Sequence, residues 1–109
     1  MEDKRYQELV DTALRAIESM LEDVDADDVD VERSGDVVTL TFRNGKKAVV
    51  NGQRPTRQLW LAADARAWHF SFDEGARAWL DDKGRGVELL AQVAEIVKAQ
   101  AGIDVSPGR

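Results

Sequence analysis

Eight carboxylates lie between Ala16 and Glu32 with no basic residue among them: Glu18, Glu22, Asp23, Asp25, Asp27, Asp28, Asp30 and Glu32. Carboxylate oxygens are hard ligands. A dense set of them can hold a hard cation such as Fe3+, Mn2+ or Ca2+ (Fe2+ more loosely), or meet a basic protein surface. Like charges this close repel one another and cost stability, which makes sense where something positive binds. The plainer alternative is a solvated helix face and turn. Asp23-x-Asp25-x-Asp27 imitates the start of a calcium-binding EF-hand loop. However, Asp28 stands where that loop needs glycine and Ser34 where it needs glutamate, so the motif fails. No histidine or cysteine joins the set, and a carboxylate site without a preorganised cage binds weakly and exchanges quickly.

A second candidate site lies in the segment from Asn51 to Ala62. Strand alternation sends Leu59 and Leu61 to one side and Trp60 to the other, beside Gln58, with Asn51 and Gln53 on the approach. An exposed tryptophan amid amides is an anchor for a partner, since tryptophan is enriched at interface hot spots. The alternative is a tryptophan packed over a neighbouring side chain. His69, the single histidine, alternates away from Trp68 and Phe70 and reads as a surface residue of the same open face. Trp68 and Trp79 read as core. The remaining chemistry is thin. No cysteine is present, one histidine in a strand makes no triad, and Lys83-Gly84-Arg85-Gly86 lacks the phosphate-loop pattern. The sequence therefore shows no catalytic constellation.

Two helices and a sheet must position these residues. Tyr6, Leu9, Val10, Ala13, Leu14, Ile17, Met20, Leu21 and Val24 form one apolar stripe, which predicts a helix over 3–24. Asp25-Ala26-Asp27-Asp28 then turns the chain, and the carboxylates there oppose the helix dipole. From Val29 to Leu80 the period is two, with strands expected over 29–33, 37–42, 46–51, 57–62, 67–72 and 78–81. Asn44-Gly45 predicts a two-residue hairpin turn, because both types accept positive φ. Leu90, Val93, Ala94, Val97 and Ala101 predict a closing helix over 86–101, capped by Gly102. The economical solution is an α+β two-layer sandwich, with the N- and C-terminal helices on one face of a five- to six-stranded antiparallel sheet and the other face open.

The 109 residues predict a single domain, 1–109, whose tail from Ile103 docks in part through Ile103 and Val105 and frays at Ser106-Pro107-Gly108. Residues 1–36 hold thirteen acids and four bases, a net of −9; residues 37–109 hold eight acids and eleven bases, a net of +3. So polar a chain, acidic overall, is a poor nucleic-acid binder. No apolar run is long enough to span a membrane, and the charged N-terminus reads as neither secretory signal nor transit peptide. A reducing cytoplasm fits the absence of cysteine.

The acidic first helix and strand, Val38-Thr39-Leu40-Thr41-Phe42 before Asn44-Gly45, the pattern Asn51-x-Gln53-x-Pro55-x-x-Gln58-x-Trp60-Leu61-Ala62, the Trp68-His69-Phe70 strand and Trp79 together resemble the bacterial (CyaY-type) branch of the frataxin family. The resemblance runs over essentially the whole chain. It implies a frataxin-like fold and a role in iron–sulfur cluster assembly. It implies weak binding of Fe2+ or Fe3+ on the ridge of Glu18, Glu22, Asp23, Asp25, Asp27, Asp28, Asp30 and Glu32, with Asp3 and Asp11 as outliers. It also implies docking of that ridge on the cysteine desulfurase, with Asn51, Gln53, Gln58 and Trp60 facing the iron–sulfur scaffold protein. The expected state is a monomer that oligomerises with iron. Ferroxidase or iron-storage activity of the same ridge, or a metal-independent interaction domain, are the competing readings.

Overall fold

The apolar stripe of the first segment folds as expected. In a computed structural model, which describes residues 1–106, helix α1 spans Asp3–Met20 and buries Tyr6, Val10, Ala13, Leu14 and Ile17. It stops four residues earlier than periodicity alone predicts. Leu21 leaves helical geometry and its N–H turns back to Glu18 O at 3.2 Å. Beyond it Asp25 takes over as the acceptor, its carbonyl receiving the N–H groups of Asp28 and Val29 and its side chain that of Asp27. Carboxylates at a helix C-terminus oppose the dipole, and aspartate offers the backbone a turn instead. Glu22 and Asp23 thus sit on a turn, not on the helix, while Leu21 still reaches the core.

Six antiparallel strands follow: β1 (Val29–Ser34), β2 (Val37–Phe42), β3 (Lys47–Gln53), β4 (Gln58–Ala63), β5 (Arg66–Asp73) and β6 (Ala78–Asp81). They form one meander in which every strand pairs with its neighbours in sequence. Helix α2 spans Leu89–Ala101 and, with α1, covers one sheet face. The core between the layers includes Val38, Leu40, Phe42, Val50, Leu59, Leu61, Trp68, Phe70 and Trp79. Leu59 and Leu61 are fully buried, so truncating either to alanine would cost about 2–5 kcal/mol. Trp68 and Trp79 are core residues, as the sequence suggests. Ile103 and Val105 pack partly against the same core; Pro107 and Gly108, read as frayed in the sequence, lie outside the described residues.

Three local details depart from the sequence reading. First, Gly45 has φ +86 but Asn44 does not have positive φ. Gly45 N–H bonds Phe42 O at 2.8 Å and Phe42 N–H bonds Lys46 O at 2.9 Å, making a three-residue hairpin loop instead of a two-residue one. The Asn44 side chain is occupied elsewhere, accepting from Lys46 N–H and donating to Gln100 Oε1. Second, the tight two-residue turn is Asp64-Ala65, with φ of +48 and +67, between paired Ala63 and Arg66. Third, α2 begins three residues late because Glu88 is its N-cap, with carboxylate oxygens accepting from Leu90 and Ala91 N–H. Its buried face accordingly rotates to Leu89, Gln92, Val93, Ile96 and Val97, leaving Leu90 and Ala94 at the margin.

Candidate functional site

The eight carboxylates of the ridge occupy three settings. Glu18 lies at the seam between α1 and β1. There the alternation that points Val29 and Val31 toward the helix layer does the same for Arg33, whose guanidinium reaches Glu18 Oε1 at 3.3 Å and Asp11 Oδ1 at 2.5 Å. Asp11 also pairs with Arg15 at 2.9 Å. The Arg33 hydrogen bond above all holds the Asp11 carboxyl below its ordinary value, outweighing the desolvation that pushes the other way. Arg33 itself is pushed up by the same bond.

The second setting is the turn from Glu22 to Asp28. Arg43 grips Asp28 at 2.8 Å, and this contact raises the arginine. Glu22 accepts from Ser19 Oγ at 3.1 Å, and Asp25 is tied to the Asp27 N–H. Asp23 and Asp27 have no side-chain partner among the described residues. In the third setting, β1 register places Asp30 opposite Thr41 and Glu32 opposite Thr39, on the sheet face away from the helices. The ridge thus wraps around the β1 edge instead of lying on one surface.

Two of the eight carboxylates, Glu18 and Asp28, are neutralised by arginines, and six (Glu22, Asp23, Asp25, Asp27, Asp30 and Glu32) have no cationic partner among the described residues. The outliers Asp3 and Asp11 are both paired, Asp3 with Arg57. Among the described residues no three carboxylate or histidine side chains converge closely enough to hold a metal ion. The donor set fits a hard cation in kind, and its dispersal fits loose, exchangeable binding along a rim. The arginines that trim the ridge are what sequence reasoning missed. Arg33 was legible in principle, since it keeps the inward phase of Val29 and Val31.

The second site lies on the open sheet face. One row runs Ser34, Val37, Asn51, Trp60 and His69 across β1 to β5, and the next carries Gln53, Gln58, Ser71 and Leu80. Trp60 is half-buried instead of exposed as expected. Its cross-strand partner His69 stacks beneath it, with ring centroids 4.3 Å apart and planes 21° from parallel. Its Nε1–H donates to Gln58 Oε1 at 2.9 Å. Gln58 Nε2 lies 3.2 Å from both Ser71 Oγ and Asp82 Oδ2, and Gln53 Nε2 donates to Asn51 Oδ1 at 2.6 Å. All four predicted residues therefore share one face, and His69, Ser71 and Asp82 join them. About three strand spacings, roughly 14 Å, separate the β1 acids from β4, so one partner surface can span both sites.

A family model for the frataxin-like domain matches residues 1–103. The iron–sulfur cluster assembly protein CyaY of Paraburkholderia phymatum is similar, at 40% identity over 109 residues covering 98% of this chain and 100% of that one. The protein of the same name from Pseudomonas fluorescens is 39% identical over 105 residues, covering 95% and 93%. Among solved structures, frataxin from Psychromonas ingrahamii matches with a TM-score of 0.90 at 30% identity over 100% of both chains. Trimeric frataxin from the yeast Saccharomyces cerevisiae, complexed with ferrous iron, matches with a TM-score of 0.69 at 26% identity over 94% of this chain and 90% of that one.

Proposed function

The chain belongs to the frataxin-like family, and on that premise we propose that it docks its acidic ridge on a cysteine desulfurase–scaffold complex and carries loosely bound iron there as cargo. Its relatives are iron–sulfur cluster assembly proteins, and cluster assembly is the process it serves. The observation that carries the docking reading is the set of six carboxylates that, among the described residues, form no ion pair around one edge of the sheet. A fold that neutralises Asp3, Asp11, Glu18 and Asp28 with its own arginines could have neutralised more, so the remaining charge is available to a basic surface. Trp60 and its amide neighbours then supply a second, short-range contact to the scaffold protein.

Iron enters as cargo, since scattered carboxylates offer weak, exchangeable oxygen sites and nothing resembling a closed cage. The same dispersal ranks iron oxidation in a paired-metal centre below docking. The yeast relative complexed with ferrous iron supports the choice of metal, and its trimeric form supports association of copies. Without iron the protein is expected to be a monomer. Among the described residues no helix is long and apolar enough to cross a membrane, and the proposed place of work is the bacterial cytoplasm.

The test is binding to a purified cysteine desulfurase at low and at physiological salt, with wild type and a variant carrying Asp23→Asn, Asp25→Asn, Asp27→Asn and Asp30→Asn. Tight binding that salt weakens and the variant loses is the expected result. No binding by the wild type at low salt overturns the reading and directs attention to iron oxidation.

A further inference from the structure

His69 is the β5 cross-strand partner of Trp60 on the open face, and its ring has a carboxylate beside it. Its Nδ1 lies 3.8 Å from Asp82 Oδ2, too far for a hydrogen bond but within ion-pair distance when the ring is charged. Asp82 is not a mobile loop residue. Its N–H donates to His69 O at 2.8 Å. The residue before it, buried Asp81, accepts Arg85 Nε at 2.6 Å and Arg85 N–H at 3.2 Å, while the Asp81 N–H donates to Val87 O. Burial pushes the Asp81 carboxyl up, but the Arg85 contacts outweigh it and the net shift is downward, which keeps the anchor ionised. Asp82 Oδ2 also accepts from Gln58 Nε2, and Gln58 Oε1 accepts the Trp60 N–H, closing a ring of contacts through His69, Trp60, Gln58 and Asp82.

Both helices lie on the other sheet face among the described residues. On the flanking strands the open face carries Gln58, Trp60 and Ala62 of β4 and Ala78 and Leu80 of β6. Asp82 is the carboxylate beside the ring; Lys83 and Arg85 follow it in the same turn, Arg85 paired with Asp81, and Asp73 lies two positions further on the same face of β5.

We propose that His69 is a positioning residue for Trp60, and that its protonation tightens the indole into its docking pose. As an imidazolium it is drawn to Asp82 and lies as a cation against the indole face; as a neutral ring it keeps only the stack. Trp60 thereby meets its partner with one ring face covered and its N–H already spent on Gln58, leaving the outer ring face for contact. The inference rests on the reading of Trp60 as a docking residue for the desulfurase–scaffold complex.

The experiment has two arms. In the free protein, the Trp60 indole Nε1–H resonance, assigned with Trp60→Phe, is followed together with the His69 ring protons from about pH 5 to pH 8, the range in which histidine ordinarily changes charge. In the second arm, affinity for the purified desulfurase–scaffold complex is measured at both ends of that range for wild type, Trp60→Ala, His69→Phe and Asp82→Asn. The proposal expects the indole signal to move with the same midpoint as His69, and wild type to bind about two- to fivefold more tightly at the acid end. His69→Phe, which keeps an aromatic stack without a charge, should bring the ratio of acid to alkaline affinity to about one, whatever its absolute affinity; Asp82→Asn should lessen the ratio. If Trp60→Ala binds like wild type at both ends, the docking reading itself fails and takes the proposal with it. If Trp60→Ala loses affinity but the indole signal ignores the His69 titration, or His69→Phe keeps the acid gain, the positioning role alone is overturned.

Discussion

The ridge and the Trp60 face are built on opposite plans. Along the ridge, six carboxylates make no ion pair among the described residues, and the side-chain hydrogen bonds recorded there come from Ser19 at the end of α1 and from the turn itself. On the Trp60 face each polar residue found by sequence has a side-chain hydrogen bond to a neighbour: Gln53 to Asn51, and Gln58 to Trp60, Ser71 and Asp82. The ridge keeps interaction energy in reserve at the expense of the fold, and its field reaches out to about a Debye length, roughly 8–10 Å in ordinary salt. The groups around Trp60 itself are hydrogen-bonded and preordered, so a partner gains little from the indole N–H and much from the ring's shape. One region suits capture at a distance and the other suits fit at contact.

That contrast breaks first at Trp60. Replacing it with alanine should weaken binding to the desulfurase–scaffold complex about 30-fold or more, the loss expected of a hot spot. Phenylalanine should retain most of the affinity, because the indole N–H is used inside the protein. A calorimetric titration in which phenylalanine is as damaging as alanine would mean that the partner needs the N–H, and the two plans would no longer differ.

The next largest effect separates neutralised from free acids. Arg33→Ala should lower the melting temperature by several degrees, since Asp11 and Glu18 lose their shared cation. Asp23→Asn should leave it unchanged or raise it slightly. The same arginine sets a pH dependence. The Asp11 carboxyl sits below its unfolded value of about 3.9, so its contribution is complete above that pH and is lost as pH falls through the lower folded value. Wild type should show this acid loss in melts taken from about pH 5 downward, and Arg33→Ala should lack that component.

A smaller effect isolates strain from charge. Ala65 holds a left-handed conformation that alanine disfavours by about 1–2 kcal/mol; set against the greater freedom glycine gains on unfolding, Ala65→Gly should stabilise the fold by roughly 0.5–1 kcal/mol in urea melts. Smallest of all, added salt should stabilise wild type modestly by screening the ridge. The variant with four asparagines in place of Asp23, Asp25, Asp27 and Asp30 should respond less; an equal response would show that the ridge acids do not strain the native state.

Much of this architecture was readable from periodicity. The α1 stripe, all six strands in order and the inward pair Leu59 and Leu61 follow from spacings of three to four and of two. What periodicity could not see was the chemistry of ends and of distant neighbours. Glu88 caps α2 with its side chain, which sets the helix start at Leu89 and not at the 86 expected from the segment. Asn44 carries the strongest turn signal in the chain but bonds Gln100 on α2, a partner far away in sequence. Arg33 and Arg43 reach carboxylates 15 to 22 positions away, so a local count of charge overstates the ridge. Alternation put Trp60 and His69 on one face, but only strand register shows that they are opposite each other and therefore stacked.

The meander has a consequence for how the molecule comes into being. Every strand pairs with the strand just before or after it, so the sheet can be laid down hairpin by hairpin as the chain emerges. The helix layer cannot: α1 is made first and α2 last, and the two share one sheet face. Until Leu89, Val93 and Val97 leave the ribosome, the stripe of Tyr6, Val10, Leu14 and Ile17 lacks part of its cover. A nascent chain arrested before α2 should therefore expose that stripe to chaperones, and its release would complete the native core in a final, fast docking step.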